Sequence, residues 1–335
     1  MQAMKPVFKV TVNGSDITQI IADRLVQLAV TDEAGVKSDR VEIRLDDREQ
    51  RLSIPPTRAT VQVQIGYEGG TLVDKGTFVI EDIELVGPDR TMTLRGTAVG
   101  ASRGAGASRE VSWHETTLGK IAESIAKRHG WKLSISKELE GIKIDHVDQR
   151  ENDLQFLSRL AAENDAVAKV ASGRLIINPH ATGKRVSGGD IPMVSIEAGE
   201  TTDWSMTLVE RGNYAGVKAT YNDLRTGKRG EIVAGEDTTN TTTLPHTYKS
   251  KEAATRASKS RSNALKRHRS TFSIYNMPGD PSLRAEVKLN ASGFRKGVDG
   301  EWLVTRVVHR LTNSGYTCAV DCETPQAKSD NKTSD

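Results

Sequence analysis

Alternating apolar and polar positions dominate the first hundred residues. In the segment TVQVQIGY, Val61, Val63 and Ile65 share one face, and polar side chains occupy the positions between them. A period of two is typical of a β-strand with one face in water. VFKVTV and RVEIRLDD alternate in the same way, and turn-forming Gly, Pro, Asn and Asp separate the segments. The pattern predicts a small β-barrel or sandwich over residues 1–100.

The period changes in the segment TTLGKIAESIAKRHGW, which predicts a helix that ends at Gly130. One helical face carries Leu118, Ile121, Ala122, Ile125 and Ala126. A second helix, NDLQFLSRLAAEND, begins at Asn152, where Asn152 and Gln155 resemble a capping box. AVAKVASGRLIINP then has the pattern of a hairpin. Residues 101–200 are therefore predicted to form a small α+β middle segment.

The alternating pattern returns after this segment, and residues 201–325 are predicted to form a second β-domain. One helix interrupts it, in SKEAATRASKSRSNALKRHR. Its small residues are expected to pack closely on a sheet along one face, at Ala253, Ala257, Ser260 and Ala264. The polar residues 326–335 are expected to form a disordered tail. The chain is thus predicted to be mainly β, with two β-domains flanking an α+β insertion.

The two β-domains contain a repeated hairpin. GTFVIEDIELVGPDRTMTLRG, residues 76–96, aligns without a gap on GEWLVTRVVHRLTNSGYTCAV, residues 300–320, with a constant offset of 224. The alignment places Phe78 on Trp302, Ile80 on Val304, Ile83 on Val307, Met92 on Tyr316 and Leu94 on Cys318. These positions are predicted to form equivalent cores in the two domains. His309 falls on Leu85 and is expected to be half-buried, with a structural role.

Composition and charge narrow the functional classes. The 47 basic and 44 acidic residues leave a net charge of +3, so the chain as a whole is not a polyanion binder. Cys318 and Cys322, about 13 Å apart if they share one strand, are expected to be free thiols in a reducing compartment. The N-terminal MQAMKPVFKV lacks the apolar region of a signal peptide, so we expect no signal peptide here.

Candidate chemistry is sparse. Two Gly-Lys pairs lack both the upstream glycine and the following Ser or Thr of a phosphate-binding loop. No histidine pair has metal-ligand spacing, and neither a Ser/His/Asp arrangement nor a carboxylate pair is singled out. We therefore expect no catalytic residue, no metal and no cofactor.

The basic helix is the candidate for a polyanion contact. Its densest cations are Lys259, Arg261, Lys266, Arg267 and Arg269. They could follow nucleic-acid phosphates. The simpler interpretation is a solvated helix face, and it is favoured because no aromatic residues are interleaved for base stacking.

Three features together resemble the phage late control gene D proteins, the tail hubs of contractile-tailed phages and of related phage-tail-like bacteriocins. The first is ENDLQFLSRLAAENDA, followed by GRLIINP. The second is the C-terminal GFRKGVDGEWLVTRVVHRL, which includes His309. The third is the order of barrel, α+β segment and barrel, which covers nearly the whole chain. The hub part of type VI secretion spike proteins is similar.

The resemblance implies a structural hub without enzymatic activity. Hubs of this kind carry two tube-like β-barrels per chain, so a homotrimer presents six barrels to the sixfold tail tube and keeps threefold symmetry for the spike. The implied location is the tail baseplate of a virion or tail-like particle that assembles in the bacterial host cytoplasm. The implied partners are the tail tube and spike proteins, with the tape measure and baseplate wedge proteins and DNA passing through the lumen as further candidates.

Two alternatives remain at the level of sequence. The segment TTLGKIAESIAKRHG also resembles the start of a LysM repeat, which would suit a module that binds peptidoglycan or degrades the cell wall. The basic helix, residues 249–269, would suit a nucleic-acid-binding protein.

Overall fold

A computed structural model describes residues 5–35, 38–99, 107–171, 173–180, 191–208, 216–223, 226–235, 240–267 and 270–325. The mainly β fold predicted from the sequence is confirmed. The expected tail, residues 326–335, lies outside the described residues. No helix in the described ranges has the length and apolar character needed to cross a membrane.

The first barrel is an antiparallel unit near the N-terminus. Its elements are β1 (Pro6–Val12), β2 (Ser15–Asp16), α1 (Thr18–Ala22), β3 (Leu25–Glu33), β4 (Arg40–Asp46), β5 (Thr60–Tyr67), β6 (Val73–Val86) and β7 (Thr91–Ala98). The main strands lie in the order β3-β4-β7-β6-β5-β1. Alternate side chains of all six point into one core, where Val10, Val63 and Ile43 are buried. The period-two pattern of the sequence produces this packing.

The middle segment has its own core. Its elements are β8 (Val111–Thr117), α2 (Leu118–His129), β9 (Lys132–Ile135), α3 (Lys137–Glu140), β10 (Lys143–Gln149), α4 (Asp153–Glu163), β11 (Ala166–Ala171) and β12 (Arg174–Pro179). Helix α2 begins where the Thr117 hydroxyl accepts the N–H of Lys120, and it ends at Gly130 with φ of 69°. The Asn152 side chain caps α4 by accepting the N–H of Gln155 at 2.9 Å. Both helices bury their apolar faces against β11 and β12.

The second barrel follows, with a large insertion. Its chain contains β13 (Val194–Glu197), β14 (Asp203–Leu208), the inserted β15 (Gly216–Asn222), β16 (Arg229–Gly235), β17 (Thr241–Tyr248) and α5 (Lys251–Arg267), then β18 (Ser270–Pro278), β19 (Lys288–Ser292), β20 (Gly300–Thr312) and β21 (Gly315–Glu323). The barrel strands lie in the order β14-β18-β21-β20-β19, and β13 pairs with β19. Residues 194–197 therefore belong to this barrel and not to the middle segment in which the predicted boundary placed them.

The two barrels have the same strand order. In chain order, β1, β3, β4, β5, β6 and β7 correspond to β13, β14, β18, β19, β20 and β21, because each strand has the corresponding neighbours. One difference is direction: β1 runs antiparallel to β5, whereas β13 runs parallel to β19. The duplication therefore extends from the hairpin detected in the sequence to six strands.

The structure corrects the register of the repeat. Both long strands shift register at equivalent positions, Glu81 in β6 and Thr305 in β20, so the offset of 224 holds there. In the second strand, Leu94 faces Ile83 while Val320 faces Val307, which gives an offset of 320 − 94 = 226. The second hairpin is longer by two residues overall: its strands pair as far as Thr312 and Gly315, whereas pairing in the first hairpin ends at Val86 and Thr91. Consequently the true equivalents are Met92 with Cys318 and Leu94 with Val320.

The insertion occupies the position of a short connection in the first barrel. Only residues 34–39 link β3 to β4, whereas β15, β16, β17 and α5 lie between the corresponding β14 and β18. The three strands form a small sheet in the order β16-β15-β17, and α5 packs on this sheet and on α4. The buried residues of α5 include Ala254, Ala257, Ser258, Ser260 and Ser262. Ala253 and Ala264, predicted for the packed face, are only partly buried.

Candidate assembly site at the barrel junction

Strand β20 joins the two barrels through one of its edges. Residues 300–303 pair with β19, and residues 306–312 pair antiparallel with β3, while β21 occupies the other edge. The register shift at Thr305 separates the two partners, and the Thr305 carbonyl accepts the N–H of Ala34 at 2.8 Å. One thirteen-stranded sheet therefore runs through both barrels.

Apolar side chains fill most of this junction. Leu28 and Val30 of β3 are buried, as are Val308 and Leu311 of β20. Burial of such side chains stabilises each by about 1.5–3 kcal/mol relative to exposure. The junction is therefore a packed interior and not a loose contact between two units.

A polar cluster lies within the junction. Lys75 of the first barrel reaches the second, where its Nζ donates to the Pro281 carbonyl at 2.6 Å and lies 3.0 Å from Nε2 of His309. Burial lowers the pKa of Lys75 to about 8. Burial, aided by Lys75, lowers the pKa of His309 to about 3. The His309 ring is therefore neutral; its Nε2 also lies 3.1 Å from the Leu283 carbonyl oxygen, and its Nδ1 lies 2.8 Å from the Tyr316 hydroxyl. His309 is fully buried, so the expectation of half-burial was wrong.

A second ionic cluster fixes the middle segment to the first barrel. Lys169 of β11 contacts the carboxylates of Asp32 and Asp39 at 2.7 and 2.8 Å. Burial and the Asp32 carboxylate raise the pKa of Asp39 to about 6. Burial alone would raise the pKa of Asp32, but Lys169 outweighs it and holds the pKa below its ordinary value. Sequence reasoning missed Lys169 because its place in the alternating strand is that of a solvent-facing residue.

The basic helix is only partly available for a polyanion. Lys259, Arg261 and Lys266 are exposed. Arg267 is 6% exposed, and its guanidinium lies 3.0 Å from Asp165 and 3.5 Å from Glu323. Arg267 is therefore a structural ion-pair residue, and its predicted phosphate contact is wrong. Arg269 lies outside the described residues.

The predicted core positions of the repeat lie in the barrels. The structure buries Phe78, Ile80, Leu94, Trp302, Val304, Val307 and Cys318. Ile83 is only partly buried at the edge of the same core. Cys318 and Cys322 are both free and buried. Burial raises the pKa of each thiol, which keeps it protonated.

A polar groove separates the middle segment from the insertion. Its lining includes Lys143, His146, Arg159, Glu163, His246 and Tyr248. Burial raises the pKa of Glu163, and Arg159 lies 3.5 Å from its carboxylate. Within the described ranges, no group of three or more His, Cys, Asp or Glu side chains is arranged to hold a metal ion.

These features define a class: duplicated β-proteins whose two barrels share one continuous sheet. The sequence matches the family described as phage tail baseplate hub (GPD) over residues 40–315. The chain belongs to this family, and it is a baseplate hub of a phage tail. The resemblance to the late control gene D proteins is thereby confirmed.

Individual proteins are similar along nearly the whole chain. The probable baseplate hub protein of Escherichia phage P2 is 30% identical over 362 residues, which cover 96% of this chain and 93% of that protein. The 43 kDa tail protein of prophage MuSo2 from Shewanella oneidensis has the same fold, with a TM-score of 0.71, 13% identity and coverage of 96% and 99% of the two chains. An Escherichia coli type VI secretion component gives a TM-score of 0.58 at 12% identity, over 97% of this chain and 77% of that one.

Proposed function

We propose that the chain forms a trimeric hub in a contractile phage tail or a phage-tail-like bacteriocin, where it adapts a sixfold tail tube to a threefold spike. The observation that carries this proposal is the duplication: two barrels with the same strand order and the same register shift in each chain. Three chains would present six similar barrels to the tube. Identical barrels would recur only at every second position, so the true symmetry of the ring would be threefold.

Location in the particle is the first test. Electron microscopy of the native tail should show this chain between the tube and the spike, as a ring with six lobes and threefold symmetry. The proposal fails if the chain lies on the outer baseplate or at the spike tip, away from the end of the tube. The same images would show whether the ring encloses a lumen wide enough for DNA and where the tape measure and wedge proteins meet it.

The proposed role requires no catalysis. The strongest candidate for a cell-wall enzyme is Glu163, whose raised pKa and position in the polar groove would suit a general acid. Against this, Arg159 lies beside the carboxylate. A zymogram with peptidoglycan should therefore show no clearing by the purified chain. Clearing that disappears in Glu163→Gln would identify a muramidase and overturn the structural role.

Nucleic-acid binding through the basic helix is the other alternative. The available cations are the exposed Lys259, Arg261 and Lys266. If these three cations contacted phosphates, a plot of the logarithm of the DNA-binding constant against the logarithm of salt concentration would have a slope near −2.7. We expect no such dependence, so reversing the three charges should leave DNA retention unchanged across a salt series. A slope of that size, lost in the reversed variant, would favour a nucleic-acid-binding role.

A further inference from the structure

In the part of the chain that the structure describes, two strand edges lack the partners that their counterparts have. The edge of β20 carries β19 along residues 300–303 and β3 along residues 306–312. The corresponding edge of β6 carries β5 along its first part, and within the described chain no strand pairs with it along residues 82–86. Likewise β14, the counterpart of β3, is the last strand of the sheet, and among the described residues β18 alone pairs with it.

These two edges also expose apolar side chains. Leu85 is 56% exposed and Val86 38% on β6, and Leu208 is 73% exposed on β14. They are three of the eight large hydrophobic residues exposed in the described ranges. The counterpart of Leu85, His309, is fully buried: β3 pairs with its backbone, and Lys75, Tyr316 and Cys318 contact its ring. The exposed apolar atoms therefore lie where the duplication predicts a missing strand.

We propose that residues 82–86 of one chain pair antiparallel with β14 of a second copy of this chain. The pair would reproduce between chains the ladder that β20 and β3 form within one. This pairing rests on the proposed ring, which supplies the neighbouring copy. It is heterologous, so repetition around the axis closes the ring and leaves neither edge open.

The duplication fixes the correspondence between β3 and β14. Val41 faces Gly96 in the first barrel as Phe272 faces Cys322 in the second, and 322 − 96 is again 226. On the next strand, Val30 faces Val41, and Met206 faces Phe272. Strand β14 therefore corresponds to β3 with an offset of 206 − 30 = 176.

The register between chains follows from these offsets. Within the chain, His309 faces Val30. Subtracting 224 from 309 and adding 176 to 30 places Leu85 opposite Met206. The neighbouring pairs are then Glu84 with Thr207, Val86 with Ser205 and Ile83 with Leu208. Leu85 and Leu208 would both gain an apolar partner, which covers the exposed surface described above.

A disulfide at the Glu84–Thr207 pair tests the register. Cα atoms directly opposite in an antiparallel ladder are about 4.5–5.5 Å apart, within the range for a disulfide. The variant Glu84→Cys with Thr207→Cys is assembled into tail particles, mildly oxidised and separated without reductant. We expect a covalent species of three chains. The native Cys318 and Cys322 are buried, so the wild type serves as the background control.

The matched control moves one cysteine by two residues on the same face. Glu84→Cys with Ser205→Cys places the thiols diagonally, with Cα atoms about 7–8 Å apart, so it should remain largely as single chains. Preferential cross-linking of this control would refute the register. If neither pair cross-links in a hub that contains three chains, the strand pairing is wrong and the trimer stands. A hub that does not contain three chains refutes the proposed function itself.

A second measurement covers the case in which the double variant does not assemble. Leu208→Cys should react rapidly with a maleimide in the isolated chain, because Leu208 is exposed there. In the particle the reaction should slow by about tenfold or more, since the edge is then paired. Equal rates in the chain and the particle would show that β14 remains open and would overturn the pairing.

Discussion

Arg58 and Glu286 adopt the same left-handed backbone conformation, with φ of 66° and 68°, at equivalent positions in the two barrels. The Arg58 N–H donates to the Ile80 carbonyl at 3.1 Å, and the Glu286 N–H donates to the Val304 carbonyl at 2.8 Å. Residues with a Cβ rarely adopt this conformation. Its presence in both copies shows that the duplication extends to the backbone at the start of β5 and β19.

Glycine at Arg58 should relieve this backbone. Arg58→Gly is expected to leave the free energy of unfolding unchanged or raise it by up to about 1 kcal/mol, because relief of the left-handed conformation offsets the extra freedom of the unfolded chain. Arg58→Val should lower it by about 1–3 kcal/mol. Gln62→Gly, in the following strand, is the control and should lower it by about 0.5–1 kcal/mol. If urea unfolding showed that Arg58→Gly and Gln62→Gly lower the free energy of unfolding equally, the backbone at Arg58 would not be strained.

The sequence predicted the barrels and the repeat because alternation and turn residues are local signals. It misplaced Leu94 and Met92 by two residues. A shift of two keeps every side chain on the same face of a strand, so the ungapped alignment with Cys318 still matched apolar with apolar. A pattern of period two cannot detect the two additional residues of the second hairpin.

The junction could not be predicted from local patterns. The pairing of β3 with β20 joins residues nearly three hundred positions apart, and alternation indicates that a strand exists without naming its partner. The same limit applies to Lys75 and Lys169, whose partners come from other domains. Similarly, β13 was assigned to the middle segment because a strand of four residues carries almost no pattern.

The core of the second barrel depends on Trp302. Its ring is 4% exposed, and its indole N–H donates to the Val298 carbonyl at 2.7 Å. Trp302→Ala should lower the free energy of unfolding by about 3–5 kcal/mol. Ile54→Ala removes an exposed apolar side chain and should change it by less than about 0.5 kcal/mol. A loss below about 1 kcal/mol for Trp302→Ala, in denaturant melts, would show that the barrel core is assigned wrongly.

Acid should weaken the junction through His309. Its folded pKa of about 3 lies below the ordinary histidine pKa of 6.5, so the unfolded chain binds a proton first as pH falls through this window. As the pH falls, the free energy of unfolding should decrease more steeply in the wild type than in His309→Gln. The difference between the two slopes should reach up to about 1.4 kcal/mol per pH unit. Asp39, with its raised pKa, acts in the opposite direction between about pH 4 and 6 in both proteins, so the difference between them isolates His309. Identical pH slopes would contradict the buried neutral ring.

Helix α5 should act through packing and not through charge. Ala257 is buried where the helix meets its neighbours, so Ala257→Leu should lower the free energy of unfolding by about 1–3 kcal/mol through overpacking. Reversing Lys259 and Arg261 to Glu should change it by less than about 0.5 kcal/mol, because both side chains are exposed. Thermal melts that show the reverse order would mean that the buried and solvated faces are exchanged.

The proposed hub consists of two barrels per chain and three chains per ring. The most direct measurement is the mass of the hub released intact from tail particles, by native mass spectrometry. Three chains of 36.5 kDa predict a complex of about 110 kDa, with six barrels in its image reconstruction. A complex of two chains, near 73 kDa, or of six chains, near 219 kDa, would contradict the account even if both barrels fold as described.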